Sequence, residues 1–473
     1  MRLLALIPPG TNSRSIFMDM LRGMQLAASG SGGHTVFFED ISFFITESQK
    51  LIQASGGKPT DALRGLQTTF VLYLEALFAR RGCDAIVTLW VDPLMALPFA
   101  KPDPKVEHFA SFTEILGIPT IHYWLDAPFW AYEGRLLPAL DKDRLTSPLH
   151  NHIINNSGTA EEMRRVLGFK SVHAIPYGVD ESIFRPWPMQ RQYDLLINAG
   201  PGDPPPTELM KAELAKEVPD VQSIRRDQAE RIRARLAGLM REASISASEA
   251  DASAFAEAWL NEQVNDPDRP MLEKFHAAAG NAANSKPIAD ALVAFPGSTK
   301  YWAIAGALVR TVDSWQRAFY SAFLSRRFKC LLVGHCGADW EKAGWDVRGD
   351  RAGSVPYHEL SLHYSRCAAG LNVMRYQDDI GSNIKGLECA ASGCVPLQRT
   401  RPGMADLLRP DIESVYFDSP VQASERLKAV IDSTERRTLL AAGGRSAVES
   451  RHTWIIRAGE LLRSAMTGFS ARS

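Results

Sequence analysis

The amino-acid sequence predicts an α/β protein made of two successive open, largely parallel sheets, the second interrupted by a helical block. Three observations lead there. Short apolar runs alternate with helix-like stretches over residues 1–185 and again after residue 328, as repeated βα units do. From Glu208 to about Phe328 the chain is rich in Ala, Arg and Glu and has no alternating apolar strand pattern, which reads as several helices. The length, 473 residues, suits two large domains or about three of ~150 residues.

In chain order, strands are expected at Leu3–Pro8, Thr35–Glu39, Ala85–Val91, Thr120–Leu125, Ile153–Asn155 and Val172–Ile175, where apolar residues cluster between turn residues. Helices are expected at Ser15–Ala28, Asp61–Arg81, Val106–Leu116 and Ala160–Leu167. The last should be capped by Thr159, favoured by Glu161 and Glu162 in its first turn, and ended by Gly168. Phe184-Arg185-Pro186-Trp187-Pro188 is an extended connection fixed by two prolines and marks a domain boundary. A strand at Asp194–Asn198 opens the second sheet and ends in the rigid turn Gly200–Pro206. The insertion follows. Sheet grammar then resumes with Lys329–Val333, Val355, Ala369–Val373, Val395–Leu397 and Ser414–Phe417, closed by helices near Val421–Ile431, Glu435–Ser450 and Thr453–Ala465. No fixed-period repeat marks a solenoid.

Composition narrows the function. Hydrophobic residues are 45% and charged residues 23%, which suits large cores and opposes disorder. Lys plus Arg total 53 against 54 Asp plus Glu, a net charge of -1 without global attraction for nucleic acid or anionic lipid. The six cysteines lack C-x-x-C spacing, so neither a zinc site nor a disulfide framework is expected, and reduced thiols suit a cytoplasmic protein. The apolar opening Leu3–Ile7 stops at Pro8-Pro9, short of a signal-peptide core, and the apolar stretch Phe70–Ala79 is too short to span a bilayer and carries Glu75.

Ligands of parallel sheets bind beyond the carboxyl ends of the strands. Three loops there carry candidate chemistry. Pro8-Pro9-Gly10 can approach a ligand through Gly10, or be a plain strand-to-helix turn. Asp126, before Ala127-Pro128, can serve as a general base or accept a sugar hydroxyl, or be turn chemistry. The richest run extends from Leu371-Asn372 through Arg375, Asp378-Asp379, Ser382-Asn383 and Lys385-Gly386-Leu387-Glu388 to Gly393-Cys394-Val395. Ser382 or Asn383 can cap a helix whose free N–H groups favour a diphosphate. Its buried stripe is Ile384, Leu387 and Ala391. Lys385 and Glu388 lie about 60° apart at the stripe's border. The lysine can stabilise a leaving diphosphate and the carboxylate can accept two ribose hydroxyls, or the two form a surface ion pair. Asp378-Asp379 can hold a divalent ion, but a solvated turn is the favoured reading.

These pieces together resemble the glycosyltransferases with two Rossmann-like domains, the GT-B architecture, and within them the CgeB-type, spore-maturation-like family of bacterial type. In the first half the similarity rests on His122–Pro128, Asn155–Gly168, Ile175–Asp180 and Phe184–Pro186. In the second it rests on Gly353–Leu360, Tyr364-Ser365, Leu371-Asn372, Lys385–Glu388, Ala391–Pro396, Arg451–Trp454 and Arg457-Ala458. The resemblance implies an acceptor domain over residues 1–185, completed by a C-terminal helix at 453–473. It implies a donor domain over 186–452 with an insertion at about 208–328.

As catalytic residues the resemblance implies Asp126, Lys385 and Arg375. Donor binding is implied for Gly200, Gly334, Val355, Pro356, Tyr357, Asn372, Ser382, Asn383, Lys385 and Glu388, and acceptor binding for Gly10 and Asp126. The implied reaction moves a sugar from a nucleotide-diphosphate sugar to a hydroxyl of a glycan, protein or small molecule, across the cleft between the domains. No metal or other cofactor, no nucleic acid and no transmembrane segment is expected; the oligomeric state is open. Two departures stand out. Many retaining relatives carry a glutamate eight positions before the ribose-binding one, where Ile380 stands here, and an Arg and a Lys after the first C-domain strand, where Gly200-Pro201-Gly202-Asp203 stands. A nucleotide-sugar epimerase and a catalytically degenerate scaffold acting in binding or assembly are therefore the alternatives.

Overall fold

The computed structural model describes residues 1–9, 15–30, 35–56, 60–89, 113, 116–127, 147–201, 204–244, 246–293, 298–334, 336–374, 380–381 and 383–470. Gly10, Arg375, Asp378, Asp379, Ser382 and nearly all of the helix expected at Val106–Leu116 lie outside them.

Six strands, β1 (Arg2–Ile7), β2 (Thr35–Asp40), β3 (Ala85–Leu89), β4 (Thr120–Trp124), β5 (His150–Ile154) and β6 (Ser171–Ala174), form a sheet in the order β2-β1-β3-β4-β5-β6. Every pairing is parallel. β1, β3 and β4 are buried almost throughout, as strands covered on both faces must be. β5 begins earlier than its apolar residues suggest. His150, Asn151 and His152 are buried, and a neighbour answers one polar atom of each: His122 Nε2 and His150 Nδ1 are hydrogen-bonded at 2.8 Å, Trp124 Nε1 donates to His152 Nδ1 at 3.1 Å, and Ser171 Oγ donates to Asn151 Oδ1 at 2.8 Å.

A second sheet holds β7 (Tyr193–Asn198), β8 (Cys330–Val333), β9 (Asp350–Gly353), β10 (Cys367–Asn372), β11 (Val395–Arg399) and β12 (Val415–Phe417), in the order β12-β11-β10-β7-β8-β9. It too is parallel throughout. From β7 the chain winds outward one way through β8 and β9, then the other way from β10, so the topological switch lies between β7 and β10. The strand expected at Val355 is β9 instead; this polar, mostly exposed edge strand carries no apolar signal.

The expected insertion is helical, with helices at Glu208–Leu214, Val221–Ala243, Glu249–Asn265, Met271–Asn281, Lys286–Val293, Ser298–Leu308 and Gln316–Ser325 and a π turn at Val309–Asp313. Two corrections concern the first sheet's helices. Ser42–Ala54 is a helix that the sequence reading omits. The helix expected to be capped by Thr159 spans Ser157–Arg165, and its cap is Asn156, whose Oδ1 accepts from Thr159 N at 2.7 Å; Thr159 is the recipient of the cap, three residues in.

The chain divides into two compact units. Unit 1 comprises Met1–Pro176, Leu292–Trp302 and Trp454–Ser473; unit 2 comprises Tyr177–Ala291 and Ala303–Thr453. Residues 177–185 thus group with the second sheet and not the first, because Val179 N donates to His452 O at 2.9 Å and Phe184 packs edge-on against Tyr357. In unit 1 the helix Trp454–Ser470 lies against the helix Ile16–Gly30 at Gly23, where a Cβ would sit 2.6 Å from Trp454 O. No helix among the described residues is long and apolar enough to cross a membrane.

Candidate functional site

The carboxyl edge of the second sheet brings most of the expected donor residues together. Gly200 follows β7, Gly334 follows β8, Val355, Pro356 and Tyr357 follow β9, and Asn372 is the last residue of β10. β9, β8, β7 and β10 are successive neighbours, so these residues come from one rim spanning the switch point. The rim is tied at β8 by Gly334, whose N–H donates to Gly353 O at 2.9 Å with φ +105°, a conformation suited to glycine.

The helix Ile384–Ala391 follows β10. Asn383 caps it, its Oδ1 accepting from Lys385 N at 3.1 Å. At the other end Gly393, with φ +71°, donates to Ala390 O at 3.0 Å and Cys394 N donates to Cys389 O at 3.1 Å, a Schellman stop. Gly386 lets the helix sink onto the strands: a Cβ there would lie 2.3 Å from Gln398 Oε1 and 3.3 Å from Asn372 Nδ2. Helix Thr434–Arg451 presses from the other side, with Gly444 beside Ala390. The helix is therefore buried nearly all round, beyond the stripe of Ile384, Leu387 and Ala391.

That burial decides the fate of the charged pair. Glu388 is 1% exposed, so the two do not form a surface ion pair. Lys385 is half-buried and its Nζ donates to the carbonyl of Asn198, the last residue of β7, across the switch point. Burial and the adjacent Glu388 carboxylate push the Tyr364 phenol well above its usual range, while a hydrogen bond from the Asn198 side chain opposes the shift.

Three amides meet at the ends of β7, β10 and β11: Asn198, Asn372 and Gln398. Their hydrogen-bond polarity follows from one hydroxyl. Ser414 Oγ donates to Pro396 O at 3.0 Å, so it accepts from Gln398 Nε2 at 2.8 Å, and Gln398 Oε1 accepts from Asn372 Nδ2 at 2.9 Å. Asn372 is 3% exposed, and its Oδ1 has no hydrogen-bond partner among the described residues. Sequence reasoning named Asn372, met Tyr364 only among the motifs of the resemblance, and missed Asn198 and Gln398. The available signal was a polar residue closing each of three apolar runs.

In unit 1, Asp126 lies two residues past β4 at the carboxyl edge of the first sheet and is half-buried. Among the described residues, no group of three or more His, Cys, Asp or Glu side chains is placed to hold a metal ion.

Residues 310–463, from the π turn to the last helix and including β8 through β12, match the family model described as "Glycosyl transferase-like". The match covers less than half of the 473-residue chain. The fold has solved counterparts. Sucrose-phosphate synthase from Thermosynechococcus elongatus superposes with a TM-score of 0.52 at 11% identity, over 99% of each chain. A glycosyltransferase from Rickettsia africae gives a TM-score of 0.49 at 7% identity, over 100% of this chain and 99% of that one. Anabaena HepE, in complex with UDP and glucose, gives 0.47 at 10% identity, over 99% and 100%. No curated protein matches the sequence. The α/β fold of two Rossmann-like units, the GT-B fold, is the one this chain shares with the sucrose-phosphate synthase. The glycosyl transferase-like segment supplies the whole of the rim except Gly200 and Asn198.

Proposed function

We propose that the chain transfers a sugar from a nucleotide-diphosphate sugar to an acceptor hydroxyl, with the donor held at the carboxyl edge of the second sheet. The carrying observation is Lys385. It is a cation at a capped helix start that reaches over the switch point of a doubly wound sheet, a position from which it would take the charge of a leaving diphosphate. Glu388 is the proposed ribose acceptor, and Asn372 and the turns at Gly200, Gly334 and Val355–Tyr357 complete the donor site. Asp126 is the proposed residue on the acceptor side. Within the glycosyltransferases we place the chain with the CgeB-type family, on the motif order described above. The test is calorimetry and thermal shift with nucleoside diphosphates and nucleotide sugars, followed by product analysis with and without acceptor. Ligand binding to the folded state alone raises apparent stability. No binding by any nucleotide sugar would end the proposal, and a rearranged donor without acceptor would mean epimerase chemistry.

Two expected results follow from the site. Glu388→Gln keeps the shape and removes the charge, so donor binding should weaken by about 1.5–3 kcal/mol, the worth of a charge-assisted hydrogen bond; titration of the variant beside its melting temperature checks this, and unchanged affinity in a folded variant removes Glu388 from the site. The proposed mechanism uses a helix start and a lysine in place of a metal. Diphosphate affinity should therefore persist in excess chelator; its collapse on chelation and return with magnesium or manganese would promote Asp378-Asp379.

A further inference from the structure

The helical insertion is joined to the segment before the Lys385 helix by a largely buried chain of polar contacts within unit 2. It begins at Asp313, whose carboxylate accepts from Arg225 Nε at 2.8 Å, Gln316 Nε2 at 2.7 Å and Gln263 Nε2 at 2.6 Å, so that one side chain binds three helices to the π turn. Gln263 passes the network on: its Oε1 accepts from Lys274 Nζ at 2.8 Å, and the same ammonium donates to Pro267 O at 2.8 Å. Lys274 is 1% exposed, and it clamps the connection between the helices Glu249–Asn265 and Met271–Asn281.

That connection carries Asp268. Its two oxygens accept from Arg399 Nη1 and Nη2, each at 2.9 Å, and Oδ1 lies 3.5 Å from Arg401 Nε. Both arginines are buried. Burial alone would raise the Asp268 pKa, and the two guanidinium charges more than offset it, holding the carboxyl below its usual range. Arg399 is the last residue of β11, next to Gln398 of the amide row. The turn after it reaches the segment leading into the Lys385 helix: Gly381 N donates to Pro402 O at 2.7 Å, and a Cβ on Gly403, at φ +75°, would lie 2.7 Å from Ile380 Cγ2. A fork-to-carboxylate pair fixes orientation as well as distance, so this contact sets where the turn sits.

We propose that Asp268 is a positioning residue, through which the insertion, by way of Arg399, Arg401 and the turn at 400–403, holds the start of the helix bearing Lys385 in its ligand-binding place. The insertion thereby tunes nucleotide binding at a distance from the ligand. The inference builds on the proposed donor site, yet its structural half is testable without it.

Hydrogen–deuterium exchange on the full-length protein, wild type against Asp268→Asn, is the experiment, with calorimetric titration of UDP and GDP alongside. Exchange over residues 380–391 is expected to speed up at least about tenfold while residues 221–243 and the first sheet keep their rates. Affinity for whichever diphosphate binds is expected to fall about tenfold. Asp268→Glu, which keeps the charge, should recover a good part of both. If Asp268→Asn does not fold, Arg401→Gln, which removes the longer of the two contacts, is measured in the same way. Unchanged exchange at 380–391, or a uniform increase across unit 2, overturns the proposal. A local increase at 380–391 in a protein that binds neither diphosphate upholds the coupling and counts against the donor site instead.

Discussion

Lys385→Ala is expected to lower the turnover of sugar transfer by ~100-fold or more, because the negative charge on a leaving diphosphate grows in the transition state and one preorganised donor is commonly worth that much. Donor affinity should fall far less, since in the proposed site the helix start that Asn383 caps would also meet the ground-state diphosphate. The stability cost should be modest, no more than about 2 kcal/mol, because the side chain is only half-buried, even with the loss of its hydrogen bond to Asn198 O. Steady-state kinetics, donor titration and denaturant unfolding on the same variant separate the three quantities. A lysine that only braces β7 against the helix would show the reverse pattern, with stability lost and turnover per folded molecule retained.

Asp313→Ala should be the most destabilising of the substitutions considered, by about 3–5 kcal/mol. The carboxylate is fully enclosed, and its removal leaves Arg225, itself 7% exposed at the side chain, as a buried cation without its counter-charge. Gln263 and Gln316 lose their acceptor at the same time, and with Gln263 the hold on Lys274 loosens. Urea unfolding followed by tryptophan fluorescence reads the change directly, since Trp259, in the helix of Gln263, and Trp315, in the turn between Asp313 and Gln316, are fully buried. A loss under about 1 kcal/mol would mean that the insertion is held by its apolar contacts and that the network is incidental. Combined with Asp268→Asn, the variant also tests whether the network acts as one unit, in which case the two losses do not add.

Local chemistry written along the chain was enough to read the fold class, the order of the strands, the helical character of the insertion and the bounds of some helices, such as Asp61–Arg81. Alternation of apolar runs with amphipathic stretches needs no partner to be recognised, and neither does a glycine stop such as Gly393 or an asparagine cap such as Asn383. Where burial rests on polar residues, that code fails. β5 begins at His150, where His122, Trp124 and Ser171, distant in sequence, each answer one polar atom of a buried side chain, and β9 has an edge strand's polar surface.

The site divides in the same way. Lys385 and Glu388 stand out in sequence on one edge of a helix, where a diphosphate beside a ribose and a surface ion pair fit the spacing equally well, and Asn372 takes a donor role only through the resemblance. Only the tertiary structure decided that Glu388 is buried and that Lys385 reaches the end of β7, 187 residues away in sequence. It alone joined Asn372 to Gln398 and Asp268 to Arg399. Periodicity reports which face of one element is apolar; which polar groups from different elements meet there depends on how strands and helices from distant parts of the chain are stacked, and the free energy of burying such groups is set by that meeting.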